Sequence, residues 1–444
     1  MITNNINNWR YDMKSSKILA TLLLASFFTT SANALGHSED ILQTYSDIAT
    51  ANYKDAVNDV ISLHKAITEF TSNPTINSMN QAKAAWLISR ESYGQTEAFR
   101  LQNGPIDAEE GWHVIAYGAP EGQMNAWPLD ESMIDYSIDA DGNRTSGNII
   151  DSTSSIFNPG GEDPVSVDIS TITMDALAAL NENGGDANVA TGFHAIEFLL
   201  WGQDQDYANF LDDNVTKGAL VAGRRPLSDY VVSKYADRRK QYLNAAAELL
   251  VSDLSAMNLA WADNDNSNYK SALLGINSNS SRNIDRNVAL SQIFSGMGVY
   301  IKSELANERI AVAVLTPSEE DEHSCFSDNT HRDIATNYLG FKNLLMGTYN
   351  GMDYGSAPID AVKDKSTIIQ LMSSIESSIA SIDGLAKTSR HFDYQIRPND
   401  PQVKEIIKLK NHLRALGDEM VAVAVANGIN LTVSDVTDAE ETQL

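Results

Sequence analysis

Apolar residues recur every three to four positions along most of the chain from Ser38 onward, the spacing that places them on one face of an α-helix. The first stretch runs to Phe70 and stops at Asn73-Pro74, because proline disfavours helical geometry in the residue before it. Further helical stretches cover about 78–101, 171–180, 188–201, 228–261, 284–315, 360–381 and 401–427. Strand-like alternation is rare, so the pattern predicts an all-α fold with no sheet larger than a hairpin.

The middle of the chain departs from this helical pattern. Residues 111–165 are rich in glycine, proline and acidic residues, and such a long irregular connection is typical of a segment beside a functional site. Helical stretches on both sides of the middle indicate two helical-bundle domains, 35–210 and 211–435, that divide near 205–225. Residues 436–444 are expected to form a flexible acidic tail.

The amino terminus has the pattern of an export signal. Lys14 and Lys17 precede an apolar run over residues 18–28, and Ala32-Asn33-Ala34 provides a small-x-small cleavage site. We therefore expect residues 1–34 to be a signal peptide, with Met13 as the natural start and residues 1–12 lying upstream of it. The apolar run is too short for a permanent membrane span. These features predict export to the periplasm or another cell-envelope compartment.

Composition narrows the possible partners. The chain carries 59 acidic and 32 basic residues, a formal charge of -27, and phosphate backbones would be repelled by such a surface. Nucleic-acid binding is therefore not expected, whereas an acidic protein that handles cations is compatible with this charge. Cys325 is the only cysteine, which rules out an intrachain disulfide and a cysteine cluster for zinc.

The predicted helix over 188–201 contains the pattern most suggestive of chemistry. His194 and Glu197 are three residues apart and therefore project from one face of a helix, where they can share a metal ion or a proton. Gly192 precedes them, and its missing side chain would allow close approach of another segment. The alternative is a buried histidine hydrogen-bonded to the glutamate for structure alone.

Two other segments contain candidate site residues. Arg90, Glu97 and Arg100 align on the predicted helix over 78–101, and the turn that follows would hold Asp107 near them; a solvated polar face is the alternative. Residues 319–333 combine carboxylates with two histidines. Asp328 and His331 could contribute to a cation site there, or Asp328 or Asn329 could cap a helix that begins at His331.

Together these segments resemble the imelysin-like proteins, and within them the iron-regulated protein A type. The resemblance rests on G-x-H-x-x-E at 192–197, on the stretch from Trp86 to Asp107, on Glu304-Leu305-Ala306-Asn307-Glu308-Arg309, and on residues 320–331. It covers about 40–430 and implies an all-helical fold of two bundle-like domains with the functional site near their interface. It also implies a cell-envelope location, a role in iron acquisition with other envelope components, and a family classed with the metallopeptidases.

These residues are compatible with three functions. The first is an envelope protein that binds a metal ion, iron or zinc, through His194, Glu197 and Glu97, supported by Arg90, Arg100, Gly192, Asp107, Asp328 and His331. The second is a metallopeptidase in which Glu197 is catalytic, although neither H-E-x-x-H nor H-x-x-E-H is present, since Phe198 follows the glutamate. The third is a non-catalytic helical module that binds another ligand or a protein partner.

Overall fold

A computed structural model describes residues 34–138, 143–204, 222–315, 321–388 and 390–438, with side chains from residue 40. The α-helices in this part of the chain are α1 (Ala34–Ser72), α2 (Ile76–Thr96), α3 (Trp112–Tyr117), α4 (Glu121–Asn125), α5 (Glu131–Ile134), α6 (Met174–Leu180), α7 (Gly192–Trp201), α8 (Ser228–Val231), α9 (Ala236–Ala260), α10 (Tyr269–Leu273), α11 (Arg286–Val299), α12 (Val312–Leu315), α13 (Thr330–Met346), α14 (Ser366–Ala386), α15 (Phe392–Gln395) and α16 (Val403–Ala426). The predicted all-α fold is confirmed.

Strands are limited to two small antiparallel hairpins among the described residues. Strand β1 (Ile156–Phe157) pairs with β2 (Val167–Asp168), and β3 (Thr348–Tyr349) pairs with β4 (Met352–Asp353). Short 3₁₀-helices cover Glu97–Phe99, Ser280–Arg282, Pro358–Ala361 and Val433–Val436. The prediction that no sheet exceeds a hairpin holds for the described residues.

Apolar periodicity accounts for the two longest amino-terminal helices. Helix α1 buries Ile41, Ile48 and Ile67 on one face, and it ends at Ser72, just before the predicted Asn73-Pro74 stop. Helix α2 then begins with a capping box in which Thr75 and Ser78 exchange side-chain-to-backbone hydrogen bonds. The two helices pack against each other.

Two groups of helices surround a continuous apolar core. Helix α1 packs against α2 and α9, and α7 lies against α2 and α9. In the second group, α16 packs against α11, α14 and the helical segment Tyr300–Ala311. Helix α13 joins the groups because it contacts both α2 and α14. Residues 205–221, at the predicted division, lie outside the described residues, so the two-domain organisation stays a prediction.

Several helix boundaries differ from those expected. The predicted helix over 78–101 ends at Thr96, and Arg100 lies in an extended conformation after a 3₁₀ turn. The predicted helix over 228–261 is divided between Val231 and Ala236, where the Ser233 hydroxyl accepts the backbone N–H of Tyr235 and competes with helical bonding.

The predicted helix over 284–315 is continuous but changes its winding. Residues Tyr300–Ala311 between α11 and α12 form a π-helix, a rare geometry that is frequent at functional sites. This segment contains Glu304 and Arg309.

The two chain ends are only partly described. Residues 1–33 of the predicted signal peptide lie outside the described residues, as do residues 439–444 of the predicted tail. Val436, at the start of that tail, is buried in the 3₁₀-helix that packs on α11. No described helix combines the length and the apolar character needed to cross a bilayer.

Candidate functional site

Helix α7 carries the G-x-H-x-x-E sequence and is buried along its whole length. Its first residue, Gly192, has φ +79°, and a Cβ there would lie 2.2 Å from the carbonyl oxygen of Met124. Trp86 of α2 donates its indole N–H to the carbonyl of Phe193 at 2.9 Å. Glycine is therefore required at 192 because the segment before Trp127 passes directly over the start of α7.

His194 and Glu197 contact each other, as their spacing predicted. His194 Nδ1 lies 3.0 Å from Glu197 Oε2, and both side chains are fully buried. The other carboxyl oxygen, Oε1, accepts hydrogen bonds from Ser327 through the backbone N–H (2.9 Å) and the hydroxyl (2.6 Å). Both oxygens of Glu197 are thus engaged within the protein.

Burial shifts the protonation equilibria of this pair in opposite directions. Desolvation raises the pKa of Glu197 to about 8, although the hydrogen bonds from Ser327 oppose the shift. Desolvation by burial is the largest cause that holds the pKa of His194 well below its usual value. At neutral pH the imidazole is therefore uncharged, and the carboxyl group is mainly protonated.

The second ring nitrogen of His194 has no hydrogen-bond partner. This Nε2 atom is buried, and the ring packs edge-on against Trp127 and His323, at centroid distances of 4.9 and 4.7 Å. With Glu197 protonated at Oε2, Nδ1 accepts the hydrogen bond and Nε2 carries the ring hydrogen, so His194 presents an unpaired N–H to an aromatic enclosure.

His323 lies at the centre of a second buried network. Its Nδ1 is 3.1 Å from Asp333 Oδ2, while its Nε2 contacts Arg309. A guanidinium only donates, so Nε2 accepts and Nδ1 carries the hydrogen that Asp333 accepts. Desolvation and then the charge of Arg309 lower the pKa of His323 to about 4, so this ring is also neutral at pH 7.

Arg90 fixes Asp333 on the other side of that network. Its Nε and Nη2 lie 3.1 and 3.0 Å from Asp333 Oδ1, and Nη1 donates to the Asn125 amide oxygen at 2.6 Å. Ser324 donates its hydroxyl to Asp333. Burial alone would raise the pKa of Asp333, but the charge of Arg90 holds this pKa well below its ordinary range.

Arg309 connects His323 to a set of carboxylates that begins at Glu97. Its Nη2 lies 2.6 Å from Glu97 Oε2 and 2.9 Å from Glu304 Oε1. Arg100 Nη1 lies 2.8 Å from the same Glu304 oxygen and 3.3 Å from Glu121 Oε1. The two guanidiniums lower the pKa of Glu304 to about 2 against the opposing effect of burial.

A cavity of about 400 Å³ opens beside these networks. Six carboxylate side chains and two guanidiniums line it, together with His323 and Trp127. The carboxylates are Glu121, Glu182, Asp186, Glu304, Glu308 and Asp321, and the guanidiniums are Arg100 and Arg309. Burial raises the pKa of Glu121 to about 7, although Arg100 opposes this. The lining is strongly negative once these acids ionise.

The structure brings together only some of the residues predicted for the site. His194 and Glu197 are in contact, whereas Glu97 bonds to Arg309 and Arg100, and Arg309 and His323 lie between it and the His194 ring. The prediction that Glu97 shares a ligand with the pair stays a prediction.

The supporting residues occupy two locations. Asp107 accepts the backbone N–H of Leu101 at 2.7 Å and lies 3.9 Å from Arg100. Asp328 and His331 belong to a different group of contacts: Asp328 Oδ2 lies 3.6 Å from His391 Nε2, and His331 Nε2 lies 3.8 Å from Asp383 Oδ1.

The cap expected for α13 is partly seen. Asn329 holds the N-cap position of the helix, which begins one residue before His331, but its side chain makes no capping bond.

Sequence reasoning missed the polar residues that complete the site. Ser327, Asp333, Asn125 and His323 were not selected individually, although three of them belong to the acidic and histidine-rich stretch at 319–333. Residues 319 and 320 of that stretch lie outside the described residues.

The pair in α7 does not form a complete metal-ligand set as it stands. In the described part of the chain, no three side chains of histidine, cysteine, aspartate or glutamate are grouped so that they would hold a metal ion. His194 Nε2 is unpaired but carries the ring hydrogen while Glu197 is protonated, Glu197 is held by Ser327, and His323 Nε2 faces Arg309. These three residues would have to rearrange before they coordinated one ion together.

Comparison with known proteins defines the class. The family model for imelysin, peptidase family M75, matches residues 49–420, and the chain belongs to this family. The chain is similar to iron-regulated protein A of Synechococcus elongatus, with 24% identity over 301 residues that cover 68% of this chain and 62% of that protein. It therefore spans less than two thirds of that relative's length.

A solved structure supports the same fold. The crystal structure of an iron-regulated protein A precursor from Parabacteroides distasonis matches 88% of this chain and 95% of its own, with a TM-score of 0.56 and 16% identity. At this identity the likeness concerns the fold alone.

Proposed function

We propose that this chain is an exported cell-envelope protein that binds a metal cation and takes part in iron acquisition. The observation that carries the proposal is the acidic cavity, in which six carboxylates outnumber two guanidiniums. Iron is the expected ion because the similar proteins are named for regulation by iron. Carboxylate and imidazole donors both suit iron.

The charge distribution of the cavity favours cations near its opening. Glu182, Asp186 and Glu308 are exposed residues of the lining, while the Arg100 and Arg309 side chains are only 12% and 5% exposed and are already paired with glutamates. The negative charge that the arginines do not neutralise therefore lies toward solvent. Clefts lined by charge of one sign raise the local concentration of counter-ions.

The size of the cavity suits an ion that retains part of its water shell. About 400 Å³ exceeds the space of a bare cation many times, and a water molecule occupies roughly 30 Å³ in the liquid. An ion bound by Glu308 and Asp321 with water between them needs no compact set of three protein ligands.

Contacts of Glu197 favour binding over peptide hydrolysis. A general base must be ionised and must reach the attacking water, but Glu197 is fully buried and bonded to Ser327 and His194. Its raised pKa of about 8 keeps most of the carboxyl groups protonated at neutral pH. The metallopeptidase alternative would require this carboxyl group to be released from both partners.

Metal content and titration test the proposal. Protein isolated from its own periplasm is analysed for iron, zinc and manganese, and metal-free protein is titrated with ferrous and ferric iron by calorimetry. The Glu308→Gln/Asp321→Asn double variant removes two lining charges, and we expect affinity to fall about tenfold, the equivalent of 1.4 kcal/mol. Glu110→Gln, at an exposed site that does not line the cavity, is the matched control.

Three outcomes would contradict the proposal. The first is no metal in the isolated protein together with no binding in titration. The second is equal affinity in the double variant and the wild type. The third concerns export: a mature protein that does not begin near Leu35 after processing would contradict the predicted signal cleavage.

A further inference from the structure

Four of the six carboxylates in the acidic cavity have no basic partner. Glu121 and Glu304 are paired with Arg100, at 3.3 and 2.8 Å. The remaining four are Glu182, Asp186, Glu308 and Asp321. In the described part of the chain, no lysine or arginine side chain forms an ion pair with any of these four. Their negative charge is therefore available to a ligand.

These four acids belong to two different segments of the cavity wall. The turn pair, Glu182 and Asp186, lies before α7 in a turn that is closed by a 2.9 Å hydrogen bond from the backbone N–H of Glu182 to the carbonyl of Asn188. The α12 pair, Glu308 and Asp321, lies on either side of the short helix α12. Among the described residues, no three acidic side chains are grouped closely enough to hold one ion. The cavity thus presents its charge in two places.

Apolar side chains adjoin both pairs of acids. They are Ala126, Trp127, Pro128, Val189 and Val312. Val189 is three residues after Asp186, and Val312 is four residues after Glu308. The Trp127 ring is fixed by edge-on contacts with His194 and Phe326, at centroid distances of 4.9 and 5.6 Å. One ligand in the cavity could therefore contact carboxylates and apolar surface together.

This lining suits an organic cation. A metal ion gains nothing from an indole, whose nitrogen only donates a hydrogen bond, whereas ammonium groups are attracted to aromatic rings and to tryptophan most strongly. The volume of about 400 Å³ is ample for a small organic molecule, since such sites are commonly about 300–1,000 Å³. The size, the aromatic wall and the divided charge all favour a ligand longer than a single ion.

We propose that the acidic cavity also binds a linear organic diamine or polyamine. One ammonium group would donate hydrogen bonds to the turn pair and another to the α12 pair, with the methylene chain against the apolar wall. Charge-assisted hydrogen bonds of this kind are among the strongest that proteins form. The inference concerns a second class of ligand and does not rest on metal binding by the cavity.

Two amines of equal chain length test the proposal. Metal-free protein, freed of chelator, is titrated by calorimetry at pH 7.5 with 1,6-diaminohexane and, separately, with 1-aminohexane, which has a single ammonium group. Both amines are charged at this pH because alkyl ammonium groups resemble that of lysine, with a pKa of about 10.4. We expect the wild type to bind the diamine about tenfold more tightly than the monoamine, because only the diamine reaches both pairs of acids.

Two double variants remove one pair of acids each while keeping the size of the side chains. They are Glu182→Gln/Asp186→Asn and Glu308→Gln/Asp321→Asn. In each variant the diamine should lose its advantage and bind about as weakly as the monoamine, since one ammonium group no longer has a carboxylate partner. Glu110→Gln, at an exposed site outside the lining, is the matched control and should keep the advantage of the diamine. Circular dichroism verifies that the variants are folded.

The proposal is wrong if the wild type does not bind the diamine, or if it binds both amines with equal affinity. It is equally wrong if either folded double variant retains the advantage of the diamine. Its failure can be told apart from that of the proposed function. Iron binding without diamine binding would overturn this inference alone, whereas diamine binding without iron binding would support it and contradict the metal-binding role.

Discussion

Replacing Gly192 by alanine should destabilise the protein strongly, and the structure sets the magnitude. Gly192 has φ +79°, and an added Cβ would lie 2.2 Å from the Met124 carbonyl oxygen and 2.5 Å from its carbon. The left-handed conformation costs a residue with a Cβ roughly 1–2 kcal/mol. Forcing an extra carbon into a packed interior adds roughly 1–3 kcal/mol. The free energy of unfolding should therefore fall by roughly 2–5 kcal/mol.

The chain provides a matched control for this substitution at Gly384. That residue lies in α14 and is exposed, and no atom of another segment lies within 4 Å of the position that an added Cβ would take. Alanine there removes the entropic cost of glycine in a helix and should stabilise the protein by roughly 0.5–1 kcal/mol. The two alanine variants thus add the same methyl group with opposite expected signs.

Urea denaturation followed by circular dichroism measures both variants against the wild type. The expected order of midpoints is Gly384→Ala above wild type and Gly192→Ala well below it. Equal midpoints for the two variants would refute the reasoning, because they would show that Met124 does not constrain the start of α7.

Three further predictions concern the buried pair. Because His194 packs against Trp127 and His323 of the cavity lining, His194→Ala should weaken iron binding in calorimetry while leaving the helical circular dichroism spectrum intact; unchanged affinity would contradict this. Purified protein should not cleave denatured casein with any added divalent metal, since Glu197 is held by Ser327; metal-dependent cleavage that is lost in Glu197→Gln would restore the peptidase alternative. Thermal stability should fall as the pH rises from about 5 to 8, because the carboxyl group of Glu197, with its pKa raised from the ordinary 4.5 to about 8, favours folding while it is protonated and has lost that contribution once the pH passes the folded value. Glu197→Gln should show a shallower fall over the same range, and an identical slope would contradict the assignment.

Local features of the site could be predicted because they depend on helix geometry alone. A spacing of three residues places His194 and Glu197 on one face whatever surrounds the helix, and the two side chains meet at 3.0 Å. The end of α1 near Asn73-Pro74 could be predicted for the same reason, because proline disfavours the helical backbone conformation of the residue that precedes it. The all-α class likewise follows from apolar periodicity, which burial of one face of each helix requires.

The partners of these residues could not be predicted because they depend on distant parts of the chain. Ser327 bonds to Glu197 across 130 residues, and Arg90 reaches Asp333 across 243. Nothing in the spacing of either residue selects its partner. The π-helical winding of Tyr300–Ala311, which carries Arg309, is also invisible to a three-to-four pattern, because the apolar positions that predict an α-helix continue through it.

The three fixed residues of G-x-H-x-x-E, Gly192, His194 and Glu197, each position a different segment that lines the cavity. Gly192 admits the Met124 backbone, which leads directly to Asn125 and Trp127 of the lining. His194 packs on the rings of Trp127 and His323, and Glu197 fixes Ser327 in the loop that carries His323. These contacts explain why all three residue types are needed on one buried helix even before any ligand is considered. A ligand-binding role for His194 therefore adds to a positioning role that the motif already performs, and a substitution in the motif should alter the cavity through its walls.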